Sequence, residues 1–461
     1  MVNERFVDIT TGNDGDDGET EGNAWQHLYF ARQQTAADML VYVKGSASYT
    51  DEDTVGGARD CVLYIDQAGG VDDGIKWEGY TTTPGDNGVF TIDCTTDALA
   101  NGINFATGAS CYNAVKNCRV TQATGAGFYT SADDWGLLWN VRADNCGGGG
   151  INVDNYWLII NPQTDNNTGD GIGCDVECII VNPVSFTNSN SGINIDRGVV
   201  INPLIYNNGA GATAGGIRLV GDLCVVYGGS VDCDNNATAL GIWGSSTYGS
   251  IAIINTILFD CGTALSLGGD NANFNTALNN LFFSNDTDRT NFPTGDNEIA
   301  GSSDPFNDST GRDYRLIKNS EARKAGIDAQ STTKFWNSFA DGVNPPDPGA
   351  GSYADIGAMQ AEPGTVILGG ILKATAFPNF PITMLQSSDG ITPRVGGTVV
   401  VQRSIDGAAF VNVTNTPATE VGSGLYVIDL EIADMDGDTI SLICTDGSSV
   451  TKFITIKTRV E

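Results

Sequence analysis

A glycine followed by a short apolar strand returns along the middle of this chain at intervals of 25, 23, 21, 21, 24 and 25 residues. The copies read GINF from Gly102, GFYT from Gly127, GINV from Gly150, GIGC from Gly171, GINI from Gly192, GIRL from Gly216 and GIWG from Gly241. A second series is offset from the first and places Asn after a short apolar run, at Asn117, Asn140, Asn161, Asn182, Asn202 and Asn255, with Gly228 in the missing slot. Each unit therefore holds two or three strands of three to five residues, separated by Gly, Asn and Asp. Strands this short do not stand alone in a sheet, and a single unit has no second layer against which to bury its apolar face. Coiling answers both problems. Successive turns stack at ~4.8 Å, alternate side chains enter a shared interior, and each backbone pairs with the turns above and below. Asn suits a repeated corner because it tolerates left-handed backbone and can hydrogen-bond its own copy one turn on. A leucine-rich horseshoe needs a regular Leu spacing that is missing here, and a propeller needs longer four-stranded units. The pattern predicts an all-β chain built on a parallel β-helix.

Composition bounds the partners. The chain has 461 residues, 41% of them hydrophobic, so a large core is within reach. Its 23 Lys and Arg against 56 Asp and Glu leave a formal charge of −33. A surface that negative repels phosphate backbones and anionic lipid, which disfavours nucleic acid and membrane partners. Neutral sugars, cations and basic protein patches remain open. The opening MVNERFVDIT has no apolar core for a secretory signal, and nothing approaches the ~18 consecutive apolar residues of a membrane span. Synthesis in a cytosol, with no membrane insertion, is the expectation. Eleven Cys include no CxxC, and His27 is the single His, so no zinc-type cluster, no metal and no cofactor are predicted. The cysteines read as reduced thiols filling a core.

The open end of such a stack needs covering. Residues 23–36 place Trp25, Leu28, Tyr29 and Arg32 at helical spacing behind Asn23 as a candidate N-cap, predicting an amphipathic capping helix before a strand over Met39–Gly45. With TGNDGDDG at Thr11–Gly18 and VYVKGSASYT at Val41–Thr50, the region resembles the start of right-handed parallel β-helix proteins of the pectate-lyase-like group. Asp313–Leu316, Ala325–Asp328 and Asp355–Ala358 resemble the closing segment of the same group. The resemblance spans roughly residues 5–361 and implies the fold, with an amino-terminal cap over 1–60 and the β-helix over 61–361. It implies little about function, since the fold hosts lyases, hydrolases and non-enzymatic spikes.

After the breaks at Pro345–Gly349 and Glu362–Gly364 the pattern changes to longer alternating strands: VILGGILKAT, GGTVVVQRSI, GLYVIDLEI, TISLICTD and KFITIKTRV. Strands of this kind separated by Gly/Asp turns, over residues 362–461, predict a small β-sandwich. Phe380, Pro381, Met384, Ser387–Asp389, Thr392, Pro393 and Gly396 open a run that resembles a module of tailed-bacteriophage virion proteins. Ser404, Asp406, Gly407, Ala409, Phe410, Glu420–Gly422, Gly424, Tyr426, Asp429, Leu430 and Asp434 continue it. That resemblance implies a virion structural protein: a tailspike, fibre or decorating component that touches other virion proteins through this module. It also implies a homotrimer and a location on the virion.

Candidate chemistry comes from aligning the turns. Four residues past the repeat glycine lie Asp154, Asp175 and Asp196, which the register stacks one turn apart. Unit charges ~5 Å apart in water repel by on the order of 1 kcal/mol. Such a column can hold a cation, or split its pKa values into an acid and a base for glycoside hydrolysis. It can equally be three solvated turn residues. Asp133-Asp134 and the Asp175/Glu177 pair are further carboxylate pairs. A lyase needs a base beside the sugar, and Lys76, Lys116, Arg119, Arg142, Arg197 and Arg218 form no catalytic motif. Trp135, Trp139, Trp157 and Trp243, with Tyr156 and Tyr206, are candidate platforms for a sugar face, although alternation sends about half of such rings into the core. The acidic loop Asn13–Glu21 lacks EF-hand spacing, and His27 reads as a rim residue. The leading expectation is a phage virion protein whose β-helix binds host surface polysaccharide. The alternatives are a glycan depolymerase of hydrolase type and a secreted β-helix adhesin.

Overall fold

The computed structural model describes residues 3–36, 39–53, 60–65, 74–96, 98–105, 113–130, 135–209, 215–245, 250–268, 275–317, 320–322, 377–383, 395–406, 408–422, 425–436, 439–446 and 452–457. The chain divides into two compact units, residues 1–359 and 360–461.

The first unit is a parallel β-helix. Among the described residues, 26 strands join one continuous sheet that bends into three strips. The first strip runs from Asn3–Val7 through Trp157–Ile160 to Thr276–Leu278; the second from Ser48–Tyr49 through Gln163–Asp165 to Ile299–Ala300. The third runs from Cys61–Ile65 through Ile151–Val153 to Thr287–Thr290. Pairing is in register from turn to turn, so like residues stack: Ile151 on Ile172, Ile193 and Ile217 in the third strip, and Leu138 on Ile159, Ile180, Val200, Val226 and Ile253 in the first. These columns form the core, each member 0–2% exposed. Burying each such side chain contributes about 1.5–3 kcal/mol relative to exposure. Strands too short to persist alone are thereby held.

Corners carry the second sequence series. Asn117, Asn140, Asn161, Asn182, Asn202 and Asn255 all adopt left-handed backbone, with φ between 51° and 57°, and Gly228 takes the same region at φ 70°. The side-chain amides chain upward: Asn140 donates to Asn117 at 3.2 Å, Asn161 to Asn140 at 2.9 Å, Asn182 to Asn161 at 3.0 Å and Asn202 to Asn182 at 3.1 Å. A second, buried ladder has no counterpart in the sequence reading. Asn167 donates to Asn188, and Asn188 to Asn208, both at 2.9 Å, and the same Oδ1 atoms accept the backbone N–H of Asn167 and Asn188. The repeat glycine stands where the chain re-enters the stack. A Cβ on Gly171 would lie 2.2 Å from Ser185 Oγ and 2.5 Å from the Gly192 carbonyl oxygen, so a larger residue is shut out by close approach.

At the amino end the predicted helix is shorter than its periodicity implied. It spans Leu28–Gln34 and is preceded by His27, while Asn23 ends a separate 3-10 turn, so Asn23 is not the N-cap. Leu28 and Ala31 join the interior cluster, and Trp25 fills the end of the stack at 3% exposed. Arg32 is buried beside Asp53 at 3.4 Å and donates to the Tyr64 carbonyl at 2.9 Å. At the other end, Phe306–Asp308 and Asp313–Leu316 make an antiparallel hairpin. Phe306 and Tyr314 pack with Leu204, Phe259 and Leu281, which come from the second strip. The outward columns of that strip change character to match. Asp144 and Asp165 give way to Phe186, Tyr206, Asp232 and Phe259. The Ala325–Asp328 and Asp355–Ala358 matches lie outside the described residues.

The second unit holds two antiparallel sheets, one of Phe377–Thr383, Thr419–Gly422 and Leu425–Leu430, the other of Val400–Ile405, Val411–Asn412, Thr439–Thr445 and Lys452–Lys457. Val401, Ile440 and Leu442 from one and Tyr426, Ile428 and Leu430 from the other share a single apolar cluster, as in a sandwich. Inside it, buried Asp434 accepts from Arg403 Nε at 2.7 Å and from the Glu431 and Thr414 amides. Phe377–Thr383 was not predicted as a strand because Pro378 and Pro381 interrupt it; VILGGILKAT lies outside the described residues.

Candidate functional site

The third strip and the turns that lead into it frame an open cleft of about 530 Å³. Glycines at 149, 169 and 173 keep it free of bulk, and Asn152, Asp170, Asp175, Asn190, Asn194, Asp196 and Arg218 supply its polar wall. Alternation produces this wall: Ile151 and Val153 point inward while Asn152 points out, and the pattern repeats one turn on. The outward column therefore reads Asn104, Tyr129, Asn152, Gly173, Asn194, Arg218 and Trp243.

Asp154, Asp175 and Asp196 each follow an inward residue at the same register, after Val153, Cys174 and Ile195, which pair with one another. Asp175 is exposed and the other two are partly buried. Only Asp175 and Asp196 line the cleft. The next turn places Val220 after Leu219 at this position, which ends the column. Glu177 sits on a left-handed corner, φ 61°, with Arg197 3.8 Å away. Asp170 was not singled out from sequence, although the Gly169-Asp170-Gly171 run marks a constrained turn. It is held in place by the Ser191 amide at 2.9 Å and by Asn194 Nδ2 at 3.0 Å, and so fixes Asn194 on the cleft wall. Asp133-Asp134 lies outside the described residues.

The basic groups are mostly committed elsewhere. Lys116 pairs with Glu78 at 2.8 Å, Arg119 with Asp144 through two bonds of 2.7 Å, and Arg142 with Asp165 through two bonds of 3.0 Å. Burial alone would raise the Asp144 carboxyl, but Arg119 and Arg142 outweigh it and hold its pKa below the ordinary value. Among the described residues, Arg218 is the basic side chain that lines the cleft, and its guanidinium lies 5.2 Å from the Trp243 ring centre.

The tryptophans divide sharply. Trp157 is 1% exposed and packs edge-on to Phe105 at 4.8 Å, so it is a core residue and no sugar face can reach it. Tyr206 is stacked on Phe186 at 4.7 Å and packs beside Tyr314 at 5.5 Å, beneath the closing hairpin. Trp135 and Trp139 are each 39% exposed. Trp135 stacks on Tyr156 at 4.5 Å and 8° between planes, on the corner just past the Asp154 column. Trp139 lies on the first strip with the Lys116 ammonium 5.0 Å from its ring centre. Trp243 is partly exposed, one turn beyond Arg218.

His27 is bracketed by Asp14 at 2.7 Å and Asp51 at 3.3 Å and stacks on Tyr29. Asp14 also accepts the Gln26 and His27 amides, so this part of the acidic loop closes the amino end. The cysteines among the described residues are buried, and burial pushes thiols such as Cys94 up to about 12. No group of three or more His, Cys, Asp or Glu able to hold a metal ion occurs among the described residues.

This geometry defines the first unit as a parallel β-helix with a polar cleft along one strip. No protein-family profile matches the chain, and no curated protein sequence matches it. Solved structures with a similar fold include pectate lyase Pel9A, at 15% identity over 77% of this chain and 96% of that one, TM-score 0.49. A rhamnogalacturonan lyase matches at 13% identity over 64% and 87%, TM-score 0.45. Lacto-N-biosidase from Eubacterium ramulus matches at 11% identity over 64% and 66%, TM-score 0.38.

Proposed function

We propose that this protein binds an extended, neutral glycan along the outer face of the third strip, and that it does so as a structural or attachment component of a bacteriophage particle. The observation that carries the glycan reading is the cleft itself, where amides of Asn152, Asn190 and Asn194 and three carboxylates face solvent over consecutive turns. Fixed amide and carboxylate groups on a shallow polar wall match hydroxyl groups along a polymer, and the Arg218–Trp243 pair provides a ring at one end. Asp170, Asp175 and Asp196 against Arg218, within a chain of charge −33, disfavour polyanionic sugars. The particle-borne role is supported by the carboxyl-terminal module and its resemblance to virion proteins.

Titration of the purified chain with neutral and with uronic-acid-rich host surface polysaccharides tests the glycan reading. Saturable binding of a neutral polymer, weakened about tenfold by Asn152→Ala with Asn190→Ala, is the expected result. Binding indifferent to both substitutions would overturn it. Mass spectrometry of purified particles tests the location. A hydrolytic reading has one specific support, that Asp175 and Asp196 enter one cleft from adjacent turns. Release of reducing ends by the parent, lost in Asp175→Asn and Asp196→Asn, would establish it.

A further inference from the structure

The outward column of the third strip favours asparagine. Asn104, Asn152 and Asn194 occupy it, where the repeat reads GINF, GINV and GINI. One turn departs from this: GIGC places Gly173 between Asn152 and Asn194, on the wall of the cleft. Elsewhere on this β-helix an asparagine at consecutive turns hydrogen-bonds its own copy, as Asn161 does with Asn140 at 2.9 Å and Asn182 with Asn161 at 3.0 Å. Gly173 forgoes such a link. Among the described residues the Asn152 side chain makes no hydrogen bond, and that of Asn194 turns aside to Asp170 at 3.0 Å.

The fold does not ask for this glycine. Its φ lies outside the left-handed region that Gly228 and the corner asparagines adopt. A Cβ on Gly171 would lie 2.2 Å from Ser185 Oγ, but one on Gly173 would meet nothing nearer than Asn152 Oδ1 at 3.3 Å, the end of a side chain that can swing away. Glycine inside a strand weakens it and packs nothing. Where neither backbone angle nor crowding requires it, it marks a place where something else approaches the main chain.

We infer that Gly173 seats one neutral pyranose unit of the glycan against the main chain, between Asn152 and Asn194, and so sets specificity in the cleft. The inference rests on the glycan reading above. The two asparagines stand two turns apart, roughly 10 Å, a gap that admits a sugar ring and that an asparagine at 173 would fill. Asn152 Oδ1 is the atom nearest the open position and accepts a hydroxyl hydrogen; Asp175, further along the same strand and also on the cleft wall, is a second acceptor. Two acceptors suit a unit that presents hydroxyl donors and carries no anionic group. At this turn the chain thus forgoes an amide link and strand propensity in favour of an open seat, the usual conflict between stability and a binding site.

One substitution, read in two ways, tests this. Gly173→Asn restores the repeat, so the full chain is expected to melt at the parent's temperature or slightly above it, followed by circular dichroism. Its affinity for neutral host surface polysaccharide should nevertheless fall by about tenfold or more. Gly173→Ala adds a single methyl at the same spot and should give a smaller loss of affinity at unchanged stability. A Gly173→Asn chain that binds the polymer as the parent does would overturn the inference and leave the glycan reading standing. Melting of both variants well below the parent would overturn it too, because the glycine would then serve the fold. A parent that binds no neutral polysaccharide would overturn the glycan reading itself, and this seat with it.

Discussion

Tyr314 donates its hydroxyl hydrogen to Asp232 at 2.7 Å, joining the closing hairpin to a strand 82 residues earlier. Arg312 reaches the same carboxylate at 3.3 Å and Asp234 at 3.0 Å, and its guanidinium lies 5.2 Å from the Tyr206 ring centre. The hairpin thus brings one polar anchor into an otherwise apolar seam. Burial raises the Asp232 pKa, and the Tyr314 hydroxyl, the Asp234 amide and Arg312 oppose that rise.

Tyr314→Phe keeps the ring and removes one of these opposing groups. Asp232 is left less well solvated, at a cost of about 1–3 kcal/mol at neutral pH. Its raised pKa climbs further, so the folded state holds a proton more readily than the unfolded chain. Stability from that proton is present at low pH and lost as pH rises through the folded pKa, which makes the penalty larger at pH 7 than at pH 4. Urea unfolding of parent and variant at both values measures it; an equal penalty at the two would argue against a titrating Asp232.

Trp157→Ala and Trp139→Ala are expected to part company. Removing a ring 1% exposed leaves a cavity worth about 3–5 kcal/mol, enough to unfold a marginal chain. Trp139, 39% exposed, gives up only its outer-face packing and the nearby Lys116 ammonium, so its variant should lie within about 1 kcal/mol of the parent. Thermal unfolding of the two single variants decides between this ranking and its reverse.

These two residues also show what the sequence could and could not reveal. The repeat and the corner asparagines were legible because each signals a local backbone need, a close approach or a left-handed residue, that no neighbour can relieve. Whether a ring faces in or out depends on where the strand begins. Trp157 opens its strand, so its burial could not be read from the spacing of aromatics. The buried Asn167–Asn188–Asn208 ladder was hidden for the opposite reason, since Asn-rich turns look solvated until the next turn covers them. Likewise Asp175 and Asp196 could be aligned by counting, but the cleft they share with Asp170 and Arg218 depends on how the preceding turns fold back.

The two Asn ladders predict different costs. Asn188 sits 2% exposed, with its amide bonded to Asn208, Ser185 and the Thr164 carbonyl, and it accepts from Asn167. Asn188→Ala strands several buried polar groups and should cost about 2–4 kcal/mol. Asn182→Gly keeps a residue at ease with φ 51° and loses only two exposed links, to Asn161 and from Asn202, so a change under about 1 kcal/mol is expected. Asn182→Ala adds the left-handed strain and should fall between the two, by about 1–2 kcal/mol. Chemical denaturation of the three variants gives the order directly.

Asp8 makes the amino end sensitive to acid. It is 1% exposed and accepts from the Thr10 amide at 2.9 Å, Thr11 Oγ1 at 2.7 Å and Ser46 Oγ at 2.8 Å, with Lys44 Nζ at 3.2 Å. Burial alone would raise its pKa, but the Thr11 and Ser46 hydroxyls, the Thr10 amide and Lys44 together bring it down to about 2. A carboxyl held lower in the folded state than in the unfolded chain stabilises the fold above the unfolded value of 3.8 and loses that contribution as pH falls toward 2. The amount is on the order of 2 kcal/mol. Asp8→Asn carries no titrating group there, so its own stability should lack this component of the acid loss. Urea unfolding of parent and variant should show a gap that is constant from pH 7 to about 5 and narrows by roughly 2 kcal/mol toward pH 2. A gap that stays constant to pH 2 would mean that Asp8 keeps an ordinary pKa in the folded chain, and that its hydrogen bonds serve the loop geometry without favouring the ionised carboxylate.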